Sequence, residues 1–276
     1  KHAGANKRLA VDRIEHVGYA ALCDLGVTVL EGQVLTEHAR SIKNDNELNA
    51  MRCAIHTCEA SIDEMRAVLR PGLTENESWA ALHAGNIKRG GEWIETRILA
   101  SGPRTNPWFQ ECGPRLMQAG DLMAFDTDLV GTYGYCCDIS RTWIIGDVAP
   151  NDRQKHLYQT AYDHVMTNIG LIEAGMSFAD MTRVSHRLPE IFRPARYGVL
   201  AHGVGLCDEY PSVRYPEDVE AHGYGGCFEV GMTLCVEAYI GVVGGHDGVK
   251  LEEQVLITDS GAVPLSTYRY EAAFLD

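Results

Sequence analysis

Three aspartates lie close together in an apolar stretch near the middle of the 276-residue chain. Asp126 and Asp128 are two positions apart, so on an extended strand their carboxylates would point to the same face. Asp138 follows a segment rich in glycine and tyrosine that can fold back as a hairpin. Because buried carboxylates must be paired, protonated or bound to a cation, we predict a metal site here, with a tight acidic surface turn as the alternative.

Three further polar residues interrupt or end apolar segments in the second half of the chain: His202, Glu237 and Glu252. Taken singly, such a histidine is more often a hydrogen-bonded core residue, and such a glutamate usually faces water. Together with the aspartates they form an oxygen-rich set of donors with one imidazole. This set suits manganese, iron, cobalt or zinc, bound as a pair of ions that share carboxylates.

The elements that position these side chains can be predicted from apolar periodicity, helix caps and glycine-rich turns. The predicted helices span residues 43–69, 74–87, 152–174 and 177–192. The predicted strands span residues 93–100, 197–203, 233–241 and 249–258, and the stretch 123–146 adds a hairpin. Helices and strands are mixed and the late strands look antiparallel, so the expected fold class is α+β.

The composition argues against several classes of function. The formal net charge of −14 disfavours nucleic acid or an anionic membrane surface as a partner. No apolar run is long enough to cross a bilayer. The nine cysteines are odd in number, form no Cys-x-x-Cys pair and lie mostly in apolar surroundings. This pattern is typical of buried thiols in a reducing cytoplasm rather than of a disulfide scaffold.

The order of the motifs resembles that of the creatinase, prolidase and methionine aminopeptidase family. One match is an aspartate that is followed, after a gap, by the run Asp-Ile-Ser-Arg-Thr ending at Thr142. The others are the run His-Gly-Val-Gly-Leu beginning at His202 and the two strand glutamates. The resemblance extends from about residue 40 to the end and implies a pita-bread fold, a curved antiparallel sheet flanked by helices. It implies residues 39–276 as the catalytic domain and residues 1–38 as the tail of a smaller N-terminal domain or a linker.

The same resemblance implies five metal ligands. They are one of Asp126 or Asp128, together with Asp138, His202, Glu237 and Glu252.

The chain departs from the peptidases of this family in three places. The peptidases usually carry one aspartate eleven residues before the second, whereas Asp126 and Asp128 precede Asp138 by twelve and ten. Asp208 begins the run Asp-Glu-Tyr-Pro where the peptidases carry His-Glu-x-Pro. Trp108 and its neighbour Phe109 stand where they usually have a substrate-contacting histidine. Both aspartates are therefore expected to reach the metals, and the substrate is expected to differ from a peptide.

The charge of the expected site favours a zwitterion with a cationic end. Five ionised carboxylates and two divalent ions would leave the ligand set slightly negative. Aromatic rings can hold an onium group by cation–π contact, with ordinary packing as the alternative role. The candidate rings belong to Trp108, Phe109, Tyr133 and Tyr197.

This pattern resembles the dimethylsulfoniopropionate lyases that use the pita-bread fold. The resemblance implies β-elimination of this sulfonium zwitterion to dimethyl sulfide and acrylate. It implies two metal ions, with iron ahead of zinc, manganese and cobalt, and a homodimer. It also implies six metal ligands with Asp208 and Tyr197 beside them: Asp126, Asp128, Asp138, His202, Glu237 and Glu252. We expect Asp208 to abstract the α proton and Tyr197 to be a second catalytic residue, with a turn cap and a structural tyrosine as the alternative roles. The alternatives are an Xaa-Pro-type metallo-aminopeptidase and a non-catalytic binding member of the fold.

Overall fold

The computed structural model describes residues 5–275, so that residues 1–4 and 276 of the two expected domains lie outside the described part. A small unit comes first in the chain, with strand β1 (Arg8–Val11), helix α1 (His16–Asp24), strand β2 (Thr28–Glu31) and helix α2 (Gln33–Arg40). β1 and β2 pair in parallel, as the crossover through α1 requires. The division of the chain at residue 38 stays a prediction.

Two helices follow and pack against each other: α3 (Asp45–Val68) and α4 (Glu75–Lys88). Each begins with a capping box, formed by Asn44 with Glu47 in α3 and by Thr74 with Glu77 in α4. The apolar stripe of α3 is buried against the strands that flank the three aspartates in the chain.

Those strands form a small antiparallel sheet and a hairpin. The sheet has the order β3 (Leu99–Ser101), β4 (Leu122–Asp126) and β7 (Ser140–Ile144). The hairpin consists of β5 (Leu129–Val130) and β6 (Cys136–Cys137), and it connects β4 to β7. Asp126 and Ser140 are paired across the sheet at the point where this hairpin leaves it.

The second half of the chain forms the larger sheet and the helices that cover it. Its elements are α5 (Asp152–Leu171), α6 (Phe178–Val184), β8 (Ala201–Val204), β9 (Asp208–Val213), α7 (Val219–His222), β10 (Thr233–Gly241), β11 (Gly248–Thr258) and β12 (Gly261–Pro264). The strands are antiparallel in the order β12-β11-β10-β8-β9. Helix α5 buries one face of this sheet, and β4 and β7 pack against the other side of β11. The predicted α+β class is confirmed.

Three predicted elements are shorter than the sequence pattern suggests. The strand expected over 197–203 begins only at Ala201, in β8. The helix expected over 177–192 ends at Val184, because the side chain of Asn168 accepts the His186 amide hydrogen bond and Pro189 restricts the backbone before it. The strand expected over 93–100 is regular only in β3, and Ile94 and Ile98 pair with neighbours through single bridges. Within residues 5–275, no helix is both long and apolar enough to span a membrane.

Candidate active site

The two longest strands bring Glu237 and Glu252 face to face. These residues are direct partners in the antiparallel pairing of β10 with β11. Their neighbours Val236 and Leu251 pack into the core beside α5, so the two glutamates point to the opposite side of the sheet. Both glutamates are at most 1% exposed. Two buried like charges directly opposite each other repel, and the arrangement therefore requires a cation.

Lys250 supplies one positive charge from within the protein. Its Nζ lies 2.9 Å from Asp126 Oδ2, 2.9 Å from Glu237 Oε2 and 2.6 Å from Glu252 Oε2. Burial lowers the pKa of Lys250, but the nearby carboxylates outweigh this effect and raise the pKa well above its usual value. Lys250 is not among the site residues predicted from the sequence. The available signal was its position two residues before Glu252, which places both side chains on one face of the strand.

His202 lies at the centre of the predicted ligands. Its Nε2 is 3.3 Å from Glu252 Oε1, 3.5 Å from Glu237 Oε1 and 3.7 Å from Asp138 Oδ2. Burial lowers the pKa of His202, but the hydrogen bond with Glu252 and the surrounding carboxylate charges raise it well above its usual value overall. Since a metal ligand must be the neutral imidazole, metal binding here has to release that proton.

Asp126 and Asp128 both point inward, but not by the strand alternation expected from the sequence. Strand β4 ends at Asp126, and Asp128 lies beyond it with a φ of 36°. Asp126 joins Glu237 and Glu252, whereas Asp128 joins Asp138 and Asp208. Burial and the charge of Glu252 raise the pKa of Asp126 to about 6, and burial and the charge of Asp126 raise the pKa of Asp128 to about 7.

The donor atoms fit divalent metal ions. Three groups have their donor atoms within 4.8 Å of one another: Asp126, Glu237 and Glu252; Asp138, His202, Cys235 and Glu252; and Asp128, Asp138 and Asp208. Asp138 and Glu252 each belong to two groups, which suits a pair of ions that share carboxylates. Oε1 of Glu237 is buried without a hydrogen-bond donor among the described residues. The six predicted ligands thus converge, and their coordination of metal stays a prediction.

Cys235 is another neighbour of the ligands that was not predicted. It is fully buried directly opposite His202 in the sheet, and its thiol donates to the Asp138 carbonyl at 3.7 Å. Burial raises the pKa of this thiol well above its usual value.

Asp208 stands at the solvent side of the ligand set. It is the first residue of β9, its side chain is 49% exposed, and its Oδ1 lies 3.8 Å from His202 Nδ1. Burial of the carboxylate raises the pKa of Asp208 to about 6, against the lowering effect of His202. This raised pKa suits a carboxylate that must accept a proton near neutral pH.

Tyr197 lies on the opposite flank, beside Lys250. Its ring centroid is 4.6 Å from Lys250 Nζ and 5.3 Å from the ring of Phe109. Burial raises the pKa of Tyr197 far above its usual value, so its phenol stays neutral.

The remaining candidate aromatics differ in exposure. Trp108 is buried and stacks on Tyr239 at 5.7 Å, with Lys250 Nζ 5.9 Å from its ring. Phe109 is 61% exposed. Tyr133 is 73% exposed, with a φ of 69°, in the turn between β5 and β6.

Two cavities lie beside the ligand set. The larger, of about 670 Å³, is lined by both His202 and Asp208, and its far wall includes Glu37, Tyr210 and Tyr224. The smaller, of about 190 Å³, is lined by Pro107, Trp108, Phe109, Ala195, Arg196, Tyr197 and Tyr239. The predicted base and the predicted aromatic residues therefore line different cavities.

Two curated relatives have the name dimethylsulfoniopropionate lyase DddP. The protein from Roseovarius nubinhibens is 50% identical over 280 residues, which cover 100% of this chain and 63% of the relative. The protein from Roseobacter denitrificans is 47% identical over 279 residues, which cover 99% of this chain and 62% of the relative. The chain thus spans less than two thirds of the length of these relatives.

Solved structures show the same fold. An Xaa-Pro dipeptidase from Bacillus anthracis superimposes with a TM-score of 0.81 at 23% identity, over 96% of this chain and 73% of that protein. This likeness confirms the pita-bread fold. The model of metallopeptidase family M24 matches residues 49–259, which is more than half of the chain and includes all six predicted ligands. The chain belongs to metallopeptidase family M24.

Proposed function

We propose that this protein is a metal-dependent lyase that cleaves dimethylsulfoniopropionate to dimethyl sulfide and acrylate by β-elimination. The observation that carries this proposal is Asp208, a carboxylate of raised pKa beside His202 at the edge of the larger cavity. It is supported by sequence identities of 50% and 47% to two relatives that are named as lyases of this substrate. Because the chain covers less than two thirds of their length, the activity is proposed for the protein to which the described residues belong.

The ligand set would hold two divalent ions through Asp126, Asp128, Asp138, His202, Glu237 and Glu252. When bound, these ions would act as Lewis acids that hold the substrate carboxylate and stabilise the negative charge that develops next to it. Iron is the proposed metal. This choice is supported by the donor set of carboxylates with one imidazole and by the resemblance to the lyases.

Asp208 would act as the general base. Its carboxylate accepts the proton from the carbon next to the substrate carboxylate, and the electron pair of that C–H bond forms the new C=C bond. The bond between the β carbon and sulfur breaks, and its electron pair leaves with sulfur. The cationic sulfonium thereby becomes neutral dimethyl sulfide without an acid, and acrylate remains. The proton on Asp208 then passes to water.

Tyr197 is proposed as a positioning residue. Its neutral phenol and its contact with Lys250 suit donation of a hydrogen bond to the substrate carboxylate on the flank away from Asp208.

The compartment and the assembly are part of the same proposal. All nine cysteines are free thiols in the structure, which supports the cytoplasm as the compartment. A homodimer is proposed from the resemblance and from apolar side chains that are exposed on the first unit, among them Val17 and Leu25. Sedimentation equilibrium of the purified protein would test the dimer.

The deciding experiment measures dimethyl sulfide in the headspace after addition of dimethylsulfoniopropionate to the metal-loaded enzyme. We expect turnover that chelation abolishes. Asp208→Asn should lower kcat by about 10²- to 10⁴-fold, the usual contribution of a general base, while the bound metal content stays the same. Asp259→Asn, in the turn after β11, is the matched control and should behave as the parent. Normal turnover by Asp208→Asn would show that Asp208 is not the base.

An Xaa-Pro peptidase activity is the second candidate. The family membership and the fold shared with an Xaa-Pro dipeptidase favour it. Asp208 argues against it, because the peptidases usually carry a histidine at this position. Release of proline from proline-containing dipeptides, measured with the same preparation, would select this candidate if dimethyl sulfide is not formed. A protein that binds metal but converts neither substrate would be a non-catalytic member.

A further inference from the structure

The two cavities beside the ligand set differ in the acidic groups that line them. The described residues that line the larger one include three acidic residues, Glu37, Asp208 and Glu209, and no lysine or arginine. Glu209 is paired with cations behind the wall, so Glu37 and Asp208 supply the negative charge that faces a ligand. The smaller cavity contains no acidic residue among the described residues that line it, and its one guanidinium, that of Arg196, is paired with Asp218.

The ammonium group of Lys250 already lies against two aromatic rings of the smaller cavity. Its ammonium lies 4.6 Å from the Tyr197 ring and 5.9 Å from the Trp108 ring. A second cation bound against these rings would meet the repulsion of Lys250 at short range. The aromatic pair that the sequence suggests for an onium group is therefore in an unfavourable electrostatic environment.

The larger cavity offers a different aromatic wall. The ring of Tyr210 stacks on His38 at 3.9 Å and on Tyr224 at 5.8 Å, and Phe178 packs edge-on against both tyrosines. The Tyr224 hydroxyl accepts a hydrogen bond from the Ser212 amide, which fixes that ring. Negative charge and aromatic carbon are thus combined in the cavity that also contains the proposed base.

Glu37 is held in place on this wall. Its Oε2 accepts a hydrogen bond from the Tyr210 amide at 3.0 Å, and its Oε1 accepts one from Gln33 Nε2 at 2.7 Å. Both donors are neutral, so neither of them neutralises the carboxylate. Helix α2 is in this way part of the wall that faces Asp208.

We propose that the cationic end of the substrate binds in the larger cavity, against Tyr224, Tyr210 and Glu37, and not against Trp108 and Phe109. This subsite rests on the proposed function in that the onium group is the sulfonium of the lyase substrate. The metal-bound end and the base then lie at one side of the cavity and the cation-binding wall at the other.

The test compares variants of the two walls in the metal-loaded enzyme. Glu37→Gln and Tyr224→Leu should each raise KM for dimethylsulfoniopropionate by about threefold or more and change kcat less than twofold. Tyr224→Phe keeps the ring and should restore the KM of the parent. Phe109→Leu should change KM less than twofold. Tyr19→Leu is the matched control, because Tyr19 is exposed on α1 to nearly the same degree as Tyr224.

Binding of the tetramethylammonium ion, measured by calorimetry, separates the subsite from the reaction. This probe has the cationic end without a carboxylate, and its affinity should fall in Glu37→Gln and Tyr224→Leu but not in Phe109→Leu. A loss of affinity in Phe109→Leu equal to that in Tyr224→Leu would overturn the subsite. If the parent releases no dimethyl sulfide, the proposed function fails, and the tetramethylammonium data still decide where a cation binds.

Discussion

Lys250 changes the charge that the ligand set presents to a substrate. Five carboxylates and two divalent ions leave one negative charge, which Lys250 cancels because its Nζ lies within 2.9 Å of three of those carboxylates. Attraction of a cationic substrate must therefore come from acidic groups outside the ligand set. Asp208 and Glu37 are such groups, and both face the larger cavity.

We predict that Lys250→Met destabilises the metal-free protein and strengthens metal binding. The substitution leaves Asp126, Glu237 and Glu252 buried without their shared partner, which should lower the free energy of unfolding by about 3–5 kcal/mol. It also removes a cation that competes with metal ions for the same carboxylates. Urea denaturation of the chelated protein and metal titration would measure the two effects. Lys88→Met, at an exposed ion pair, should cost at most about 1 kcal/mol.

At the scale of elements, α2 and the segment after it are tied to the strand that carries Asp208. Glu209, whose side chain is fully buried, pairs with Arg40 and with Lys43, the latter at 2.8 Å. Gly205 makes room for it, because a Cβ at that position would lie 2.3 Å from Glu209 Oε1. These ion pairs hold the end of α2 and the segment after it against the start of β9.

Glu209→Ala should therefore loosen the start of β9. We expect the free energy of unfolding to fall by about 3–5 kcal/mol, because the Lys43 ammonium and the Arg40 guanidinium lose their shared carboxylate. Chemical denaturation would measure this loss, with Glu220→Ala on the exposed surface of α7 as a control within about 0.5 kcal/mol. A loss no larger than that of the control would contradict the role assigned to the ion pairs.

At the scale of the whole molecule, a buried histidine couples stability to pH. His164 in α5 is fully buried, with its Nδ1 3.1 Å from His186 Nδ1 and its Nε2 3.2 Å from the Tyr215 hydroxyl. Burial, and secondarily the charge of His186, lowers the pKa of His164 to about 3. The unfolded chain, with a histidine pKa of about 6.5, therefore binds a proton that the folded protein excludes.

The folded protein should lose stability as pH falls from about 6.5 towards 3. For His164 the loss of stability between pH 7 and pH 5 should be roughly 2 kcal/mol. Over this range the histidine becomes protonated in the unfolded chain but stays neutral in the folded protein. His164→Gln removes the titration, so its stability should depend less on pH by that amount. Denaturant titrations at both pH values would measure it, and His16→Gln, on the exposed face of α1, should keep the dependence of the parent.

The sequence by itself determined the ligand types, the fold class and the family resemblance. Carboxylates and an imidazole inside apolar segments must be paired, protonated or bound to a metal, because an unpaired buried charge is too costly. Caps and apolar periodicity located α3, α4, α5 and the two long strands, because these features are local. The M24 family and the pita-bread fold are confirmed on independent grounds.

Only the tertiary structure decided which groups meet. The register that sets Glu237 opposite Glu252, and the lysine between them, depends on strand pairing that a single chain does not encode locally. The positive φ at Asp128 replaced the strand alternation that the i, i+2 spacing suggested. Asp208 and Trp108 line two different cavities, and the larger one is formed where α2 packs against β9, which is far from it in sequence. This arrangement makes Tyr224 and Glu37 the candidates for the cation site.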